Sequence, residues 1–511
     1  MKKIGFKNLR SLKNIEGIEI CPLTVIVGKN SSGKSTFLRS FPLLKQSLDT
    51  KTNSPILWYD PSFVDFGSYA ECINKHASSN DDIVFLYEFK LDRKNDRGFL
   101  FFNNRFVDID ANILLKLHIK IEDKKEFVNL IEIKIDESLI VIDINYDYGV
   151  NSIVINDREF SQNNEFKTIS LSINKILPLL TLSKKERINF YGSEYEPSLF
   201  KILEKLTKSG TKKETHVSML NNFELGGYET FYSSLRSDKK SPKSWHTSLE
   251  KLDKEDSILK ELHNLYLLSN INKILESCDH YLTRYYEHVY YVAPVRATAE
   301  RYYRQQGLAV NRIDPRGINL PMFLESLSKK EFVKFQEWTR TNLKFEPVVS
   351  TVGGHLSISL KINELEINLA DTGFGFSQIL PIVTQLWAIT RKRKMPKQLN
   401  RSMGPITFVI EQPELHLHPR LQALLIDTFV KVINTSKKES IEVKIIFETH
   451  SETMVNRLGH HVANGNISNE LINISIFDSE GFETTIKNGK YDSKGRLTNW
   501  PIGFFYPDII G

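Results

Sequence analysis

The sequence predicts an α/β fold: a mixed sheet with flanking helices, an antiparallel β-subdomain and a mostly helical insertion. Three observations carry that expectation. The buried-type run Leu23-Thr24-Val25-Ile26-Val27 passes through a glycine loop straight into an apolar helix. Alternation in Leu117-His118-Ile119-Lys120-Ile121-Glu122 and in Ile131-Glu132-Ile133-Lys134-Ile135 marks antiparallel strands with one solvated face. Further apolar strands, Ile406–Ile410, Val443–Phe447 and Asn473–Phe477, alternate with helices near the end of the chain.

Taken in order, the opening segment reads as strand, hairpin, strand, loop and helix. Ile18-Glu19-Ile20 alternates, Pro22 interrupts, and Thr36-Phe37-Leu38 opens a helix that runs to Leu48. Residues 83–160 are strand-like. Residues 181–290 turn Lys/Glu/Leu-rich and helical, broken by loops at Ser209–Lys213 and Ser237–Pro242. From Tyr291 the pattern returns to α/β, with helices at Pro419–Ile433 and Glu452–Leu458. The expected organisation is an N-terminal lobe (1–180), a helical insertion (181–290) and a C-terminal lobe (291–511).

Composition agrees with a globular chain. At 511 residues, 41% hydrophobic and 25% charged, it can bury about three domains' worth of core. The 68 Lys+Arg against 62 Asp+Glu allow local basic patches and nothing stronger. Cys21, Cys72 and Cys278 lie too far apart for a disulfide framework or a zinc knuckle. No run approaches the ~20 apolar residues of a membrane span, and the first residues lack the apolar centre of a signal peptide. A soluble, cytoplasmic protein is expected.

Chemistry concentrates at strand ends. Gly28-Lys29-Asn30-Ser31-Ser32-Gly33-Lys34-Ser35 matches GxxxxGK[ST] between a strand and a helix, where backbone amides and a helix N-terminus can cradle phosphate oxygens. Lys34 is expected to reach the β- and γ-phosphates of a bound nucleotide, Ser35 to ligate Mg²⁺ and Thr36 to lie near the α-phosphate. The strand Ile406–Ile410 ends in Glu411; on a strand beside the P-loop strand, that carboxylate would face the metal and the attacking water. Ile445-Ile446-Phe447-Glu448-Thr449-His450-Ser451 repeats the design with a histidine, which can both donate to and accept from a γ-phosphate. Asp371-Thr372-Gly373-Phe374-Gly375-Phe376-Ser377-Gln378 is a further amide-rich helix start, lying shortly before the Glu411 strand.

The order P-loop, Gly-Ser-Gln segment, Glu-ended strand and strand-end His resembles the ABC-type ATPases of the SMC, DNA-repair and OLD-like group, an AAA-family assembly of ATPase heads. Phe6-Lys7-Asn8-Leu9-Arg10-Ser11 looks like that group's first strand, and the long stretch between Ser35 and Glu411 leaves room for an insertion. Glu411-Gln412-Pro413-Glu414-Leu415-His416-Leu417-His418-Pro419, Tyr291-Val292-Ala293-Pro294-Val295-Arg296 and Trp500-Pro501-Ile502-Gly503-Phe504-Phe505 resemble a stand-alone bacterial subgroup, the PtuA-like ATPase subunits of Septu and retron-associated anti-phage systems. The resemblance implies ATP and Mg²⁺ as cofactors and a dimer or higher oligomer formed through the heads. Gly375, Ser377 and Gln378 of one copy would close on the phosphates held by Lys34 and Ser35 of another. It also implies catalytic roles for Glu411, Gln412, Glu414 and His450. Where the wider family has a water-orienting Glu after the metal-binding acid, this chain has Gln412, which cannot take a proton, so turnover is expected to be slow unless Glu414 substitutes. Val64–Ser68 is the candidate Mg²⁺-sensing loop.

His416 and His418 alternate without a third ligand nearby and read as packing residues. Basic stretches occur at Arg391-Lys392-Arg393-Lys394 with Lys397 and Arg401, at Arg236–Lys243 followed by Trp245 and His246, and at Arg301–Arg304. Ring and charge interleave there as on nucleic-acid surfaces, although such runs are more often solvated faces. The stretch after His450 is too short for the OLD-type nuclease domain, and no HNH or PD-(D/E)xK constellation is visible. The expected partner is therefore a separately encoded nuclease, of HNH type, with nucleic acid or a retron reverse transcriptase as further partners and no membrane. A mechanical DNA-maintenance ATPase is the alternative; it would need longer coiled-coil arms than 181–290 supplies. A transporter head would place the P-loop and Glu-ended strand far closer in sequence.

Overall fold

The computed structural model describes residues 1–52, 54–78, 80–92, 109–160, 166–169, 175–182, 197–305, 310, 312–391, 404–439, 441–481 and 483–500. Residues 392–401 of the basic stretch and 501–505 of the terminal segment lie outside the described residues.

Along the chain come β1 (Lys3–Leu9), β2 (Leu12–Glu19), β3 (Leu23–Gly28), α1 (Lys34–Asp49), α2 (Tyr69–Cys72) and β4 (Ile83–Leu91). They are followed by β5 (Ala111–Glu122), β6 (Lys125–Ile135), β7 (Ser138–Ile144), β8 (Val150–Ile155), β9 (Arg158–Glu159), β10 (Phe166–Ile169) and β11 (Leu179–Leu182). The helices α3 (Pro197–Leu206), α4 (Lys213–Asn222), α5 (Tyr228–Ser237), α6 (Lys243–Glu250), α7 (Ser257–Ser269) and α8 (Ile271–Glu287) come next. The remainder comprises β12 (Val289–Val292), β13 (Tyr303–Arg304), α9 (Leu320–Glu325), α10 (Lys329–Leu343), β14 (Glu346–Val352), β15 (His355–Ile362), β16 (Leu365–Asn368) and α11 (Phe374–Arg391). It ends with β17 (Ile406–Ile410), α12 (Pro419–Lys438), β18 (Val443–Glu448), α13 (Glu452–Ala463), β19 (Ile472–Glu480), β20 (Glu483–Tyr491) and β21 (Leu497–Thr498).

Two compact units share these elements, each built from separated stretches. One holds Met1–Leu9, Ser47–Leu57 and Lys75–Arg284; the other holds Arg10–Gln46, Trp58–Asn74 and Tyr285–Gly511. In the first, β1-β4-β5-β6-β7-β8-β9 pair antiparallel. Alternate residues of β5 are buried, as expected of a sheet with one solvated face. Bulges at His118/Ile119 and Asp143/Ile144 interrupt the ladder. The helices of this unit close around aromatics: Trp245 is fully buried, and its indole Nε1 donates to the Leu235 carbonyl at 3.3 Å. It cannot stack on a base, so the basic stretch at 236–246 loses its aromatic partner. Asp279 of α8 accepts from the backbone N–H of Ile176 (2.7 Å) and Leu177 (2.9 Å). Burial pushes its carboxyl up to about 6, while those amides pull the other way.

The second unit carries the sheet β12-β17-β18-β3-β19-β20-β21, parallel from β12 to β19 and antiparallel beyond. Strands β3, β17 and β18 are buried at every position, which is why they read as unbroken apolar runs instead of alternating ones. Helix α12 packs Phe429 against Phe447 of β18, with ring centroids 5.5 Å apart. Helix α13 starts at Ser451, whose hydroxyl accepts from the Met454 N–H. A smaller sheet, β13-β15-β14 with β16 on β15, completes the unit. Among the described residues no helix is long and apolar enough to cross a membrane.

In the first unit, His118 lies between Glu132 (Nε2 to Oε1, 3.1 Å) and Asp82 (Nδ1 to Oδ2, 3.5 Å). Burial opposes its protonation, but the two carboxylates outweigh burial and raise the imidazole above its ordinary value. Such a group stabilises the fold fully below the ordinary value and loses that contribution as pH rises through the raised one. The urea midpoint of wild type should therefore exceed that of His118→Gln most at about pH 5 and converge with it by about pH 9. A gap that is constant across this range would contradict the reading.

Candidate functional site

The P-loop occupies the turn from β3 to α1. Gly28 has a φ of +151°, and a side chain there would put its Cβ 2.1 Å from the Phe477 carbonyl oxygen, so glycine is obligatory. Lys34 is buried and donates to the carbonyls of Gly28 (3.0 Å) and Lys29 (2.6 Å). Burial lowers its ammonium below the ordinary value, with Glu448 opposing. The Ser35 hydroxyl donates to Glu448 Oε2 at 3.2 Å, and Lys34 Nζ stands 3.6 Å from Oε1. Thr484 on β20 donates its hydroxyl to the Ser32 carbonyl, the Ser32 hydroxyl donates to the Lys29 carbonyl, and Lys29 pairs with Asp478 at 3.0 Å. Asn30, Ser31, Gly33, Lys34, Ser35 and Thr36 line a pocket of about 340 Å³ together with Ser11, Gln412 and Glu448.

Glu411 follows β17, and β18 lies between β17 and the P-loop strand, so the expected direct neighbourhood of those two strands does not occur. Only 1% exposed, the Glu411 carboxylate takes two parallel hydrogen bonds from Arg39 (2.9 and 3.0 Å) and a third from the Tyr291 hydroxyl (2.7 Å). Arg39 sits one helical turn beyond Ser35 on α1, on the same face. Burial disfavours both charges: the bidentate contact still raises the Arg39 guanidinium above its ordinary value, while burial raises the Glu411 carboxyl against the opposing pull of Arg39 and Tyr291. The carboxylate that meets Ser35 is instead that of Glu448, at the end of β18.

The segment after Glu411 is tightly specified. Arg296 donates through Nη2 to the carbonyls of Glu411 (2.9 Å) and Gln412 (3.3 Å). Gln412 adopts a φ of +43° and His416 one of +63°, in the left-handed region that non-glycine residues occupy sparsely. Glu414 Oε1 accepts from the backbone N–H of His450 at 2.7 Å, and burial raises the Glu414 carboxyl. His450 Nε2 lies 3.8 Å from Glu448 Oε1, so Lys34, Ser35 and His450 all converge on Glu448. His418 caps α12 by accepting from the Arg420 N–H, and His416 packs its ring at a tilt against Phe374, centroids 5.7 Å apart.

The Gly-Ser-Gln segment opens α11 in the same unit. A Cβ on Gly375 would meet the His416 carbonyl oxygen at 2.9 Å, so this glycine lets the helix start against the 412–418 turn. Ser377 is buried and donates to the Phe374 carbonyl; the buried Gln378 donates to the Arg296 carbonyl at 3.4 Å. Neither lines the P-loop pocket of its own chain. Of the third basic stretch, Arg301 is paired with Asp371 at 2.7 Å and the Tyr303 hydroxyl accepts from the Glu300 N–H.

A P-loop at the start of the chain, completed within one mixed sheet by strand ends from its far end, defines an ABC-type P-loop ATPase head. The chain belongs to the family described as an AAA ATPase domain, whose model matches residues 1–455. Endonuclease GajA of Bacillus cereus strain HuB5-5 is 22% identical over 488 residues, which cover 92% of this chain and 57% of that protein; the chain thus spans little more than half of that relative. Among solved structures, the Smc head domain of Pyrococcus furiosus bound to the C-terminal domain of ScpA gives a TM-score of 0.36 at 11% identity over 95% of each chain. The SMC head domain of Thermotoga maritima gives 0.32 at 8% identity over 95% and 98%.

Sequence reasoning missed Glu448, Arg39 and Tyr291. Glu448 carried the same signal as Glu411, an acid ending an apolar strand, but the adjacent histidine drew the reading. Arg39 gave no local signal, and Tyr291 stood out only as the start of the 291–296 segment that carries the resemblance, since the partner they share is remote from both in sequence. Removing one partner of a buried pair costs about 3–5 kcal/mol, less where one side chain is a third exposed as Arg39 is. A hydrogen bond to a charged group contributes about 1.5–3 kcal/mol. Chemical denaturation should therefore rank Arg39→Met as more destabilising than Tyr291→Phe, and Glu411→Gln should erase most of the difference. Neutral behaviour of Arg39→Met would show that the clamp is not formed.

Proposed function

We propose that the chain binds ATP in the P-loop pocket, hydrolyses it slowly, and uses ATP-dependent association of heads between copies to control a separately encoded nuclease in cytoplasmic anti-phage defence. The observation that carries this reading is the convergence of Lys34, Ser35, His450 and Gln412 around Glu448. The name of the GajA relative, an endonuclease, supports a nuclease context; an HNH-type enzyme as partner, with nucleic acid or a retron reverse transcriptase as further components, is what the sequence resemblance implies.

The residues present fit Mg²⁺. The Ser35 hydroxyl and Glu448 carboxylate are hard oxygen donors beside a phosphate loop, the kind of set Mg²⁺ takes together with phosphate oxygens. Ser35 and Glu448 would hold the ion, whereas Glu411, the acid expected there from the sequence, is engaged by Arg39 and Tyr291. Bound there, Mg²⁺ supplies charge neutralisation on the β- and γ-phosphate oxygens. Lys34 and the P-loop amides bind and orient the triphosphate. The Gln412 amide can hold a water by hydrogen bonding but cannot accept its proton, and a positioned base contributes roughly 10²–10⁴-fold. Gly375, Ser377 and Gln378 are the surface proposed to meet the triphosphate of a second copy. Gln378 bonds the Arg296 backbone, and Arg296 in turn holds the Glu411 and Gln412 carbonyls, so head closure has a direct route to the strand ends.

Unaided wild-type turnover should fall well below the ~10 per second typical of enzymes. Gln412→Glu should raise it about tenfold or more, and Lys34→Ala should abolish ATP binding in equilibrium titration. Wild-type turnover of tens per second, or ATP affinity unchanged in Lys34→Ala, would overturn the proposal.

A further inference from the structure

A second cleft opens beside the strand ends, separate from the P-loop pocket. It encloses about 550 Å³, within the ~300–1,000 Å³ of small-molecule sites. Arg39, Arg296 and Arg316 line it, and Asp65 is its single acidic lining residue. One Asp65 oxygen already accepts from the Gly67 N–H at 2.7 Å. The cleft is therefore cationic, although Arg39 shares its charge with Glu411.

Arg296 is the unusual member. It is 3% exposed, and while Nη2 serves the Glu411 and Gln412 carbonyls, Nε and Nη1 have no hydrogen-bond partner among the described residues. Burial lowers its guanidinium to about 10 against the opposing pull of Glu414, Tyr291 and Glu411. Leaving two guanidinium nitrogens buried and unpaired is costly, and with Nη2 engaged each of them can donate a single charge-assisted hydrogen bond to an anion. Arg316, exposed at the same cleft, makes no ion pair among the described residues. The remaining wall is apolar and open to solvent: Val295 is 76% exposed and Ile318 59%. A cationic end next to an exposed apolar wall suits a ligand with a phosphate at one end and a flat ring system at the other.

We propose that this cleft binds a nucleoside phosphate, with Arg296 and Arg316 holding the phosphate and Val295 and Ile318 carrying the base. The ligand is either a free nucleotide or the 5′-phosphorylated terminal nucleotide of a strand. The site lies against the carbonyls of Glu411 and Gln412, so occupancy is communicated to the ATPase strand end through one side chain. The proposal does not depend on the reading of the P-loop pocket, and the test separates the two.

The test uses the full chain carrying Lys34→Ala, so that the P-loop pocket contributes no binding. Fluorescence anisotropy is measured with methylanthraniloyl-AMP and with a 3′-labelled oligonucleotide bearing either a 5′-phosphate or a 5′-hydroxyl. Binding of the AMP probe assigns the free nucleotide; binding of only the phosphorylated oligonucleotide assigns the strand end. In either case Arg316→Glu and Arg296→Lys should weaken binding at least about tenfold, and Arg316→Glu should reduce the salt dependence by about one phosphate contact. In an otherwise wild-type chain, Arg316→Glu should leave ATP affinity at the P-loop unchanged. If Arg296→Lys fails to fold, the exposed Arg316 decides alone. No binding of any probe, binding indifferent to Arg316→Glu, or equal binding of phosphorylated and hydroxyl oligonucleotides without AMP binding would overturn the proposal.

Discussion

Parallel pairing of β3 with β18 on one side and β19 on the other governs the geometry of the second unit. It aligns Ile26 with Glu448 and Gly28 with Phe477, joining segments from opposite ends of the sequence. Because the strands are parallel, their carboxyl ends emerge on one edge, where open α/β sheets place their ligands. The P-loop, Glu448 and the turn after Glu411 are neighbours for this reason alone. The long intervening stretch costs little thermodynamically, since loop-closure entropy grows only logarithmically with length.

Bringing strand ends together also concentrates charge. Glu411, Glu414 and Glu448 lie close to Lys34, Arg39 and Arg296, in a setting that excludes water from most of their atoms. Buried ion pairs are poor stabilisers compared with apolar packing of equal volume, so stability alone does not account for such a cluster. Glu411 illustrates the point: Arg39, on the helix that starts at Lys34, ties the far strand end to the phosphate loop. Arg296 adds a second tie, from the start of α11 through Gln378 to the Glu411 and Gln412 carbonyls.

Much of this was legible in the sequence. The fully buried strands announced themselves as apolar runs, and Ile406–Ile410 has the bounds its residues suggested. The P-loop was legible because its chemistry dictates a contiguous motif between strand and helix. The antiparallel strands showed through alternation, which reflects one wet face. Arg39 and Tyr291 were obscure for a physical reason: side chains that meet a carboxylate far away in sequence leave no periodic trace in either segment. Trp245 misled because an aromatic beside lysines looks the same whether it faces solvent or a helical core.

The most direct measurement is an experimental structure of the chain with Mg²⁺ and a slowly hydrolysed ATP analogue. The triphosphate should lie on Lys34 and the P-loop amides, with the metal on Ser35 and with Glu448 and His450 at the γ-phosphate end. A nucleotide bound elsewhere, or a metal held without Ser35 while Glu448 and His450 point away from the phosphates, would contradict the site.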